Sequence, residues 1–149
     1  MKLSTKGRYG LRAMVDLAVY SNGEHVSLFN IAQRQNISEN YLEQVFSILR
    51  KAGLVKSVKG AQGGYVLGDK PSRILIGSIL RALEGNLSII DEEVNLNGIE
   101  GDAILACISI NIWEKLNNKI NEFVDSIPLE ELVNEYKRIS GSETNMYYI

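Results

Sequence analysis

The stretch from Ile31 to Tyr65, IAQRQNISENYLEQVFSILRKAGLVKSVKGAQGGY, constrains the fold of this chain more than any other part of it. A short helical segment, a tight turn at Asn36-Ile37-Ser38, a longer helical segment and a basic, glycine-rich hairpin follow one another without spacers. That order is a helix-turn-helix followed by a wing, which lays its second helix in the major groove of duplex DNA.

The longer helix is predicted to be capped by Ser38 and to stop at Gly53. Leu42, Val45, Leu49 and Ala52 share one stripe, joined by Tyr41, Phe46 and Ile48, and predict its buried side. The opposite side carries Glu39, Asn40, Glu43, Gln44, Ser47 and Lys51. Such side chains read base edges: amides pair with adenine, carboxylates accept from cytosine N4, and hydroxyls do either. A solvated helix face is polar too, but the short helix and turn ahead of this one favour readout. From Leu54 to Leu67 two short β segments flank Lys59-Gly60-Ala61-Gln62-Gly63-Gly64, whose glycines allow positive φ at the tip. The loop lacks the Gly-Lys-Ser/Thr ending of a P-loop and the glycine spacing of a dinucleotide fold, which argues against nucleotide binding. Lys56, Lys59 and Gln62 suit a wing lying along a minor groove, where narrow width attracts cations.

Upstream, Ser4 or Thr5 can cap a first helix with Leu11, Met14, Val15 and Ala18 on its buried face, ended by Ser21-Asn22-Gly23. Lys2, Lys6, Arg8 and Arg12 cluster near its start, and Lys6 and Arg8 beside a helix N-terminus suit a DNA phosphate. Ser27 caps a second helix with Leu28, Ile31 and Ala32 inward.

Downstream, Pro71 marks a boundary, and Ile76, Ile79, Leu80 and Leu83 predict a fourth helix ended by Gly85. Residues 86–101 are acidic and irregular and read as a loop. Asp102 opens a long helix to about Ser126. Its Leu105, Ile108, Ile112, Leu116, Ile120 and Phe123 recur every three or four residues, with Ile104 and Trp113 widening the stripe. That is more apolar surface than a protruding helix can leave in water, so a second copy of the chain is expected on one side of it and the reading domain on the other. Pro128 starts a last short helix, Leu129 to Ile139, with Leu132, Val133 and Tyr136 apolar. The predicted fold is mainly α with a small β-hairpin wing. Its parts are a winged helix-turn-helix domain (1–85), an acidic loop (86–101), a dimerisation helix with a C-terminal helix (102–140) and a tail (141–149).

Charge supports this division. Residues 1–73 carry 11 Lys and Arg against 5 Asp and Glu, whereas residues 74–149 carry 5 against 13. A basic half can meet phosphates while an acidic half stays off them. No apolar run approaches the roughly eighteen residues of a membrane span, and the basic N-terminus has no apolar core of a secretory signal. With a single cysteine, Cys107, no internal disulfide can form, and a reduced cytoplasmic setting is expected. Cys107 lies between Ala106 and Ile108 on the apolar stripe and is expected to be buried as a small hydrophobe.

KLSTKGRYG at the start and ISENYLEQVFSILRKAGLVKSVKGAQGGYVLG closely resemble the winged-helix repressor family typified by the iron–sulfur regulator IscR and the cysteine-metabolism regulator CymR. The likeness covers most of the chain and is strongest through residues 2–68. It implies a homodimer whose long helices cross, presenting two recognition helices to a palindrome-like site on double-stranded DNA. It also implies that Ser38, Asn40, Tyr41, Glu43, Gln44 and Lys59 sit at the DNA, with Glu43 discriminating between bases. The cluster-binding branch carries three cysteines and a nearby histidine before the long helix. Here only Cys107 matches, and Ile110 stands where the histidine would fall. An iron–sulfur cluster generally needs four such ligands, so no cluster and no other cofactor or metal is expected. The ending Met146-Tyr147-Tyr148-Ile149 resembles the cysteine-regulator branch, and a terminal Ile resembles the end of serine acetyltransferase, which docks in cysteine synthase. The resemblance therefore implies cysteine synthase as a corepressor held through Tyr147, Tyr148 and Ile149.

Two alternatives remain at this stage. One is a regulator of the same fold that senses iron–sulfur, nitric oxide or redox state. The other is a protein-interaction adaptor that never reads DNA. Catalysis is the weakest reading, since the chain has no Cys/His pair close in sequence and no G-x-S-x-G nucleophile elbow.

Overall fold

The computed structural model describes residues 2–90 and 102–146. Over these the chain runs α1 (Thr5–Tyr20), α2 (Leu28–Gln35), α3 (Glu39–Lys51), β1 (Val55–Val58), β2 (Gly64–Leu67), α4 (Ile76–Glu84), α5 (Ala103–Ile108), a π turn (Ser109–Trp113), α6 (Glu114–Asp125) and α7 (Leu129–Met146). It is a mainly helical winged helix-turn-helix, as its sequence predicts.

Serines start the first three helices. The Ser4, Ser27 and Ser38 hydroxyls accept from the backbone N–H of Gly7, Asn30 and Tyr41 at 3.2, 3.2 and 3.3 Å. Each cap satisfies a donor that has no partner within the helix. Between α2 and α3 the turn rests on Asn36, whose φ of 54° lies in the left-handed region that asparagine tolerates. Gly53 at φ 78° ends α3 and feeds the chain straight into β1.

One core joins these elements. Met14, Leu17, Ile31, Leu42, Phe46, Leu49, Ile79 and Leu129 are completely or almost completely shielded from solvent. The fully buried residues of α1 are Gly7, Gly10, Ala13, Met14, Asp16 and Leu17, while Leu11, Val15 and Ala18 of the expected stripe are half-buried and pack against the same core. The small residues let α4 approach, since a Cβ at Gly10 would overlap Leu83. Leu11 and Val15 also line a cavity shared with Leu132 and Tyr136 of α7. Helix α1 is covered on two sides, so a single stripe does not describe it. Ala52, expected in the core stripe of α3, is exposed. It caps the helix where the chain already turns toward Gly53.

The wing is a two-stranded antiparallel hairpin in the register Val55↔Leu67 to Val58↔Gly64. Val26, just before α2, pairs with Tyr65 through N–H···O bonds of 2.9 and 2.8 Å, so this segment lies along the outer edge of β2. A Cβ at Gly64 would overlap the Val26 carbonyl.

The C-terminal half shares the core of the first half. Leu129 donates to the Ile74 carbonyl at 2.7 Å and is fully buried, while α6 packs on α4 and α7 on α1. The predicted long helix is present but contains a π turn, in which the Glu114 N–H reaches back to the Ser109 carbonyl. The last helix does not stop near Ile139. It continues through Gly141 to Met146, since an isolated helical glycine costs only about 1 kcal/mol against alanine. At the start of the acidic loop Leu87 is buried, and Ile89 donates to Asn117 Oδ1 at 2.9 Å. The rest of that loop, 91–101, lies outside the described residues.

Candidate nucleic-acid interface

The amphipathic pattern of α3 decides which side is free. Its Leu42, Val45, Phe46 and Leu49 are buried, which leaves Glu39, Asn40, Glu43, Gln44 and Lys51 exposed. Ser47 is half-buried at the edge of that face. Asn40, Glu43, Gln44 and Ser47 together line one shallow, open concavity. It offers two amides, a carboxylate and a hydroxyl, a mixed set of donors and acceptors suited to base edges.

Two other expected DNA-contact residues have structural duties as well. The Ser38 hydroxyl is engaged in capping α3. Tyr41 is half-buried, its ring edge-on to that of Tyr9 at 6.0 Å between centroids. The Arg8 and Arg12 guanidinium groups lie 5.9 and 5.3 Å from the Tyr9 ring centroid. These contacts tie the start of α1 to the start of α3. Lys6 and Arg8 are exposed in the first turn of α1, and Lys56, Lys59 and Gln62 are exposed on the wing.

One group at the base of the helix-turn-helix was not singled out from sequence. Asp16 is buried in α1 and accepts from Arg34 Nε at 3.0 Å, Arg34 Nη2 at 2.8 Å and Gln35 Nε2 at 2.9 Å. The hydrogen bond to Asp16 raises the Arg34 pKa. Arg34 also stacks on the Tyr20 ring at 3.9 Å, and Arg12 donates to the Gln35 carbonyl at 2.6 Å. A charged residue among the inward positions of an amphipathic helix was the available signal, because a buried carboxylate demands a partner. Tyr20 and Tyr136 bring their hydroxyls within 3.3 Å, linking α1 to α7. That hydrogen bond raises the pKa of Tyr20 and lowers that of Tyr136, and either hydroxyl can be the donor.

Of the expected dimer-contact residues, Leu105, Ile108, Ile112, Leu116 and Phe123 are exposed, Phe123 to 65%. Ile104 and Ile110 extend this apolar surface. Ile120 is half-buried and packs against the chain's own core. Cys107, expected to be buried, is exposed, because nothing in the described part of the chain covers this side of α5. The Asn111 amide nitrogen lies 3.8 Å from the Cys107 sulfur. Among the described residues no group of three or more His, Cys, Asp and Glu side chains could hold a metal. Tyr147, Tyr148 and Ile149 lie outside the described residues, and no helix among those described is long and apolar enough to cross a membrane.

Comparison with known proteins agrees with this geometry. The model of the Rrf2 family, described as an iron-dependent transcriptional regulator, matches residues 3–135. The transcriptional regulator CymR of Bacillus subtilis is 42% identical over 149 residues, the full length of both chains. The transcriptional regulator IscR of Aliivibrio salmonicida is 42% identical over 146 residues, 96% of this chain and 84% of that one. The solved structure of CymR, described as the global cysteine regulator of B. subtilis, superposes with a TM-score of 0.76 at 44% identity, covering 91% of this chain and 98% of that one. These relatives are transcriptional regulators with helix-turn-helix DNA-binding domains, and the chain belongs to the Rrf2 family.

Proposed function

We propose that this chain is a homodimeric repressor in which two copies of α3 read a palindrome-like DNA site, and that it serves cysteine and sulfur metabolism without an iron–sulfur cluster. The observation that carries the reading is the open polar face of α3. Asn40, Glu43, Gln44 and Ser47 point away from a filled core, with Lys51 on the same helix and a lysine-bearing wing directly after it. The exposed apolar surface from Ile104 to Phe123 supports the dimer, since a surface of that kind calls for a partner. The sole cysteine supports a regulator without a cluster, because one thiolate per subunit falls short of the usual four ligands. The cysteine role rests on likeness to CymR over the full chain. Cysteine synthase is the proposed corepressor, held by the Tyr147-Tyr148-Ile149 ending. A terminal side chain and carboxylate can enter a preformed pocket.

In vitro selection from random duplexes, with and without cysteine synthase and O-acetylserine, tests these statements together. A selected palindrome whose affinity depends on the synthase is the expected result. Selection of no sequence would make the chain an adaptor. A palindrome bound equally well without the synthase would remove the corepressor.

A further inference from the structure

The wing tip is poorly supported by packing. Beneath it lies a cavity of about 480 Å³, lined by residues that include Tyr20, Asn30, Arg34, Ala61 and Gln62. The glycine-rich tip is exposed over this open cavity, and such loops open at little cost. Two hydrogen-bonded ties join the wing to the segment ahead of α2. One is the backbone pairing of Val26 with Tyr65 in β2. The other is at the tip itself, where His25 Nε2 meets the Gln62 carbonyl oxygen.

We propose that His25 is a positioning residue for DNA binding, anchoring the wing tip so that Lys59 and Gln62 are held ready for the duplex. A carbonyl oxygen only accepts, so the His25 Nε2–H donates. The anchor belongs to the loop that leads directly into α2, and Val26 and Ser27 continue it into the helix cap. The wing is therefore set against the helix-turn-helix by consecutive residues of one segment, and its tip inherits the position of α2. Holding a loop in its bound conformation reduces the ordering cost of association. His25 is exposed, so its removal leaves the core intact.

This inference rests on the DNA reading, and the test separates the two. The intact protein is compared with His25→Ala and His25→Gln on a selected duplex, after thermal unfolding has established that each is folded. Hydroxyl-radical cleavage reports minor-groove protection, and methylation of guanine N7 reports the major groove. His25→Ala is expected to weaken binding about 5- to 10-fold and to lose minor-groove protection at the wing while keeping major-groove protection. His25→Gln, which retains a donor at similar reach, is expected to restore it. Full minor-groove protection in His25→Ala would overturn the inference, as would loss of both protections or failure of His25→Gln to restore the footprint. Failure of the unaltered protein to select any duplex would instead overturn the DNA reading.

Discussion

The buried carboxylate of Asp16 on α1 accepts both ends of the Arg34 guanidinium on α2, at 3.0 and 2.8 Å, while Gln35 supplies a third hydrogen bond. The Asp16 side chain is fully shielded and that of Arg34 is 30% exposed. Asp16→Ala is expected to cost about 3 kcal/mol, the lower end for breaking a buried pair, because Arg34 regains part of its hydration. Urea unfolding measures it. A loss within about 0.5 kcal/mol, as for an ordinary surface site, would mean that apolar packing alone sets α2 on α1.

The α3 face and the wing should respond differently to substitution. Gln44→Ala is expected to change the preferred base at one position in each half-site, at about 1–3 kcal/mol of discrimination. Lys59→Ala is expected to weaken all duplexes alike and to reduce the log–log salt slope by about 0.9 if one phosphate contact is lost. Binding measured across a salt series on cognate and scrambled duplexes distinguishes them. Equal effects on both duplexes for Gln44→Ala would show that this side chain does not read bases.

Ile112 lies in the middle of the exposed apolar surface. Ile112→Asp places a charge where a second copy is proposed to sit, and sedimentation is expected to show a monomer at micromolar concentration. An unchanged dimer would place the interface elsewhere.

Deleting Tyr147 to Ile149 removes the proposed partner contact and leaves the described fold untouched. Co-purification with cysteine synthase is expected to disappear, with DNA binding by the repressor alone unaffected. Retained co-purification would rule out the tail as the docking element.

Arg81 on α4 donates to Asp125 on α6 at 2.7 Å and to Asn121 at 2.9 Å. The hydrogen bond from Arg81 lowers the Asp125 pKa below its ordinary value of 3.8. A carboxylate with a depressed folded-state pKa contributes stability at pH values above the unfolded one, and that contribution is lost as pH falls through the folded one. Arg81→Met is therefore expected to be less stable than the parent at neutral pH, with the difference shrinking as pH falls below about 4. A difference independent of pH would assign the effect to packing or to Asn121.

The helix-turn-helix was legible in sequence because its signals are local. A serine cap at Ser38, an asparagine able to take positive φ at Asn36 and a glycine stop at Gly53 act within a few residues of chain. The apolar spacing of α3 then leaves only one side for the polar set. The boundaries of α7 and the inner face of α1 were less legible, because both depend on which distant elements arrive to cover them. The last helix was expected to end at Ile139 and instead runs through Gly141 to Met146. Leu11 and Val15 pack on the core as expected but also line a cavity with α7, while Gly7, Gly10 and Ala13 form the more deeply buried side.

What the sequence by itself determined is the order and capping of the elements, the exposed polar face of α3 and the family. What only the tertiary structure decided is how those elements are tied: Asp16 to Arg34, His25 to the wing tip, Tyr20 to Tyr136. The same structure left Cys107 exposed and turned Ile120 inward. The physical reason is range. Caps, turns and amphipathic periodicity act over one or two helical turns, whereas burial and long-range hydrogen bonds depend on the whole chain having packed.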